Sequence, residues 1–142
     1  MNGNTELLNF VYQNAQMGVN TLTQLLDIVE EGELTRHIRA QQEGYRAMEA
    51  EARKLLEENG CDEKGLTAFE KIRTYLMIDL QTLSDKSASH VAEMLMIGSN
   101  MGVINAIKNL RKYDGAEKRI RALMERLQRF EEDNLQQLKK FL

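Results

Sequence analysis

Two histidines, one cysteine and eight methionines bound the chemistry available to these 142 residues. A di-iron carboxylate centre in a helical bundle draws a glutamate from each of two helices and Glu-x-x-His from each of the other two. Here Glu43 is followed by Arg46 and Glu125 by Gln128, so the second and last helices lack Glu-x-x-His. Ala15, Gly18, Gly98 and Met101 take the inward mid-helix places of the other two helices. Divalent iron requires oxygen and imidazole donors, so no di-iron centre is expected. The set nearest to a mononuclear metal site is His90 with Glu93, one helical turn apart and close to Asp85. The commoner use of such residues is capping by His90 and a favourable negative charge at a helix start from Glu93. His37 reads as a surface or boundary residue.

Nucleophilic catalysis finds no support either. Cys61 lies in the polar loop Glu58-Asn59-Gly60-Cys61-Asp62-Glu63, whose acidic neighbours do not favour a nucleophilic thiolate. No phosphate loop or zinc spacing occurs. Met94, Met96 and Met101 share one helix, and filling of irregular core space explains them better than haem or copper ligation. No catalytic residue, resident metal or cofactor is expected.

The elements that would position these residues are helical throughout. Leu7, Leu8, Val11, Ala15, Gly18, Leu22, Leu25 and Val29 recur at spacings of three and four, the mark of one buried helix face, and predict a helix over 5–31 capped by Asn4 or Thr5. Leu34, Ile38, Tyr45, Met48, Ala52 and Leu55 predict a second helix, ending at Asn59-Gly60. Thr67 and Glu70 have capping-box spacing before a shorter helix over 66–84. A fresh cap near Ser84–Ser89 opens a helix to Tyr113 with Val91, Met94, Leu95, Gly98, Met101, Gly102 and Leu110 inward. The last helix, after Asp114-Gly115, carries Ile120, Leu123, Leu127, Phe130, Leu135, Leu138 and Phe141. No strand-like alternation appears, so the fold is all-α.

Met17-Gly18-Val19 returns 84 positions later as Met101-Gly102-Val103. At that offset Leu7 falls on Val91, Val11 on Leu95 and Leu26 on Leu110; beyond the turn, at offset 82, Ile38 falls on Ile120, Tyr45 on Leu127 and Met48 on Phe130. The chain thus reads as one domain of two similar helical hairpins, 5–60 and 89–142, joined by a crossover holding the short helix. A helix of about 17 residues covers roughly 26 Å at 1.5 Å per residue, enough with its flanks to run the height of a bundle. An interior helix glycine costs about 1 kcal/mol relative to alanine, so two in register need a compensating gain. Close packing is the commoner one. The functional alternative is a slot held open for a ligand and lined by Met17, Gly18, Gly98, Met101 and Gly102.

Helix lengths, crossover and hairpin repeat resemble the ferritin-like superfamily. The segment DKSASHVAEMLMIGSNMGVINAIKNL, Asp85–Leu110, is similar to one typical of small uncharacterised bacterial proteins of that shape. The resemblance implies a ferritin-like four-helix bundle in a bacterial cytoplasm and implies no activity.

Composition agrees with that setting. No apolar run approaches the ~20 residues that span a bilayer, MNGNTELL lacks the features of a signal peptide, and a single cysteine suits a reducing compartment. The net charge is −3. Residues 1–35 hold five acids and no Lys or Arg, whereas Lys108, Arg111, Lys112, Lys118, Arg119, Arg121, Arg126 and Arg129 crowd the last turn. Interleaved acids and few aromatics favour a self-complementing surface there over a nucleic-acid patch. The expected function is non-catalytic, acting through association, with a homodimer the expected form. The alternative is a small-molecule or metal-binding protein without a di-iron centre.

Overall fold

The computed structural model describes residues 2–61 and 85–142. They form four helices, α1 (Asn4–Leu26), α2 (Glu33–Glu58), α3 (Ala88–Lys112) and α4 (Lys118–Leu138), with a 3-10 turn at Lys139–Phe141. No strand occurs among the described residues, and no helix there is long and apolar enough to cross a membrane. The helix expected over 66–84 lies outside the described residues.

Each helix buries the face its periodicity marks. Leu7, Leu8, Val11, Ala15, Leu22 and Leu25 of α1 meet Ile38, Tyr45, Ala52 and Leu56 of α2, and both meet Ile120, Leu123, Met124 and Leu127 of α4 in one core. Two boundaries differ from expectation. Helix α1 stops at Leu26, because Ile28 and Val29 continue the apolar spacing after the backbone has begun to turn at Asp27. Arg39 clamps Glu31 beyond that turn with bonds of 2.6 and 2.8 Å, holding the Glu31 carboxyl down at about 2. The N-cap of α1 is Gly3, in the left-handed region at φ 87. Asn4 instead accepts the Glu117 N–H at 2.8 Å and so ties the start of α4. Helix α3 opens as its sequence suggests, with Ser87 Oγ accepting the His90 N–H.

The ends of the helices define the topology. At one end the start of α1 meets the α3–α4 turn through Asn4 and Glu117, and Cys61 Sγ, just past α2, lies 2.9 Å from Thr5 Oγ1. At the other end, the α1–α2 turn shares a cleft with Lys86, Ser87, Ala88 and Phe141, and Lys140 bonds Glu33 at 2.7 Å. The described chain therefore leaves one end at Cys61 and resumes at the opposite end. Helices α2 and α3 run in the same direction. A bundle whose hairpins were joined by a short loop would have them antiparallel.

Candidate functional site: a buried carboxyl between four helices

Along α4 the inward stripe runs Ile120, Leu123, Met124, Leu127, Glu131, Asn134, Leu138, all buried. Two polar side chains thus occupy core positions. Glu131 is 2% exposed. Asn14 of α1 donates Nδ2–H to its Oε1 at 2.5 Å, and the Tyr45 hydroxyl of α2 donates to its Oε2 at 3.0 Å. Burial pushes the Glu131 carboxyl up to about 8, against the pull of the Asn14 and Tyr45 bonds. Tyr45 is pushed well above its ordinary range by burial and then by Glu131, while Ser99 and Asn134 pull the other way.

The arrangement described, with Tyr45 donating, is that of the ionised carboxylate. Burial favours the neutral acid, whose proton would sit on Oε2, since Oε1 receives the Asn14 N–H, and would point at the tyrosine oxygen. A hydroxyl can either donate or accept, so Tyr45 reverses its role when Glu131 loses its proton.

The paired glycines make this centre. A Cβ on Gly18 would lie 2.7 and 2.8 Å from ring carbons of Tyr45. One on Gly102 would lie 2.6 and 2.7 Å from the two carboxyl oxygens of Glu131. Each glycine therefore opens onto the partner helix of its own hairpin, and the two side chains so admitted bond each other. The repeat register predicted from sequence differs here: it set Tyr45 against Leu127, whereas the structure sets Glu131 in the corresponding role.

Of the five expected slot residues, Met17, Gly18 and Gly98 line a cavity of about 30 Å³ with Asn14, Tyr45 and Glu131. That is room for one water. Met101 and Gly102 do not line it: Met101 packs half-buried against the core and Gly102 faces the carboxyl. Phe130 stands edge-on to Tyr45 at 5.0 Å between ring centroids, beside a groove between α2 and α4.

The remaining candidates stay apart. His90 occupies the first turn of α3 with its N–H on Ser87, Glu93 is exposed, and no three His, Cys, Asp or Glu side chains gather for a metal among the described residues. His37 sits at 2.7 Å from Gln41 Nε2, and burial lowers its pKa, with Lys140 adding to the effect. In the basic turn, Arg121 donates to Leu110 and Tyr113 carbonyls, Arg119 pairs with Glu58 and Glu117, and Arg126 pairs with Glu51. Those cations are spent on the chain's own carbonyls and acids.

Glu131, Asn134 and Asn14 were not among the sequence candidates. The signal was present: the three-four spacing of Ile120, Leu123, Leu127 and Leu138 falls on 131 and 134, and a polar residue in an apolar stripe is the informative exception. Comparison with known proteins finds no family model, no curated protein and no solved structure that matches the chain, so the site's chemistry must be argued from its own geometry.

Proposed function

We propose that this chain is a non-catalytic bundle of ferritin-like build, without a di-iron centre, that holds a small polar ligand between its helices in a bacterial cytoplasm. The observation that carries the reading is Glu131, a carboxyl fixed in the middle of the core by donors from two other helices. A structural core does not require an acid there, and burying one is costly unless it is paired. A cavity of about 30 Å³ adjoins Tyr45 and Glu131. Native mass spectrometry and elemental analysis of protein purified without chelators should detect a retained molecule or ion that Glu131→Gln releases. An empty bundle would refute occupancy over Glu131.

A second reading is association as a homodimer. It is favoured by Ile97 and Ile104, which are 40% and 45% exposed and seven residues apart on one face of α3. Sedimentation across micromolar concentrations should then show a dimer that the pair Ile97→Glu and Ile104→Glu dissociates. A monomer throughout would exclude it. Membrane and nucleic-acid partners form no part of either reading.

A further inference from the structure

Helix α3 carries a single acid, Glu93, and its lysines and arginine, Lys108, Arg111 and Lys112, gather at its far end. Glu93 and Lys108 are exposed, and neither takes part in an ion pair among the described residues. The helix positions that neighbour Glu93, three and four residues away, hold Ser89, His90, Met96 and Ile97, so no lysine or arginine of its own helix reaches it. The helix dipole does not account for these charges. Its pull falls off within the first and last turns, whereas Glu93 is the sixth residue of α3 and Lys108 the fifth from its end.

Between the two charges stand the exposed Ile97 and Ile104. At 3.6 residues per turn, Glu93, Ile97, Asn100, Ile104 and Lys108 fall within an arc of about 80°, and all five are exposed. They form one stripe along the outside of α3. Its apolar centre is about 10 Å long and its charged ends lie roughly 22 Å apart at 1.5 Å per residue. An apolar centre with a polar rim is the anatomy of an association surface.

The stripe is complementary to itself. When two copies of a helix pair antiparallel about a two-fold axis, facing residues lie equally far on opposite sides of that axis. The midpoint of Ile97 and Ile104 coincides with the midpoint of Glu93 and Lys108, between positions 100 and 101. One axis there sets Ile97 against Ile104 of the partner subunit and Glu93 against Lys108 of the partner subunit, each pair occurring twice. Asn100 falls beside the axis, where its amide both donates to and accepts from its own copy, and an asparagine so placed fixes register. Parallel pairing would instead set acid on acid and lysine on lysine.

We propose that α3 packs antiparallel against α3 of a second copy about a two-fold axis beside Asn100, with Glu93 bonded to Lys108 of the partner subunit at both ends. This pairing rests on the homodimer reading and adds to it an orientation, a register and the residues that set both.

Charge exchange tests it. Glu93→Lys and Lys108→Glu are surface changes and should leave the fold intact. Sedimentation equilibrium should show each single variant dimerising about tenfold more weakly, since two exposed ion pairs become two like-charge contacts. The double variant should regain the affinity of the unaltered chain. A mixture of the two single variants should form a mixed dimer of that same affinity, because each then offers the charge the other lacks. A dimer indifferent to both exchanges, or weakened variants that fail to recover on mixing, would overturn this pairing and leave the homodimer reading standing. A monomer at every concentration would overturn both.

Discussion

Glu131→Gln should make the protein more stable above neutral pH and leave it nearly unchanged at pH 5. The carboxyl titrates at about 8 in the folded chain against an ordinary 4.5. A group whose folded pKa is raised contributes stability that is complete below its unfolded value and lost as pH rises through its folded value. The window is therefore about pH 4.5 to 8, and the full difference amounts to about 3–5 kcal/mol. Glutamine reproduces the neutral acid: its oxygen accepts from Asn14, and its amide donates to the tyrosine oxygen. Asn14, Tyr45, Ser99 and Gly102 are the groups facing Glu131, and of these only Tyr45 titrates, far above the window.

Other groups act with the opposite sign and at lower pH. His37 is held below its usual value, so its contribution is lost as pH falls under about 6.5. Glu31, fixed by Arg39, loses its own contribution as pH falls towards about 2. Urea unfolding of both proteins at pH 5, 7 and 9 should thus show a difference between them, from which the shared His37 and Glu31 contributions cancel, that opens mainly between pH 5 and 8. Parallel curves for the two proteins would mean that the carboxyl is already ionised in the folded state.

The helices were legible in the sequence because burial of one face imposes a period, and Leu7 to Leu25 or Ile120 to Leu127 declare it without ambiguity. What the period could not supply was identity across helices. Reading only apolar residues, the last stripe was carried onto Phe130 and Leu135, which are half-buried, and stepped over Glu131 and Asn134. The two glycines were marked as places of close approach, yet nothing in their own helices names Tyr45 or Glu131 as what approaches. Asn4 shows the same limit: it has the chemistry of a cap, and it caps a helix that begins over a hundred residues away. Local pattern fixes which residues point inward, and tertiary packing decides whom they meet.

Gly18→Ala distinguishes packing from an open slot. In an exposed helix the change gains about 1 kcal/mol. Here it should cost about 2–3 kcal/mol, because the new Cβ falls within 2.8 Å of Tyr45 ring carbons and overpacking of a filled core carries that order of penalty. The ring cannot yield freely: Tyr45 is buried, packs on Phe130 and holds Glu131 through its hydroxyl. In a Tyr45→Leu background the obstacle is gone, so the added methyl should cost under about 1 kcal/mol, and the cycle should show a coupling of 1–2 kcal/mol between sites in contact. Thermal or urea unfolding of the four proteins measures it. If Gly18→Ala were neutral or stabilising, the glycine would be keeping space vacant, and the slot would regain its claim as the ligand site. A loss that vanishes with the tyrosine instead assigns Gly18 to the admission of Tyr45, and by the same geometry assigns Gly102 to the admission of Glu131.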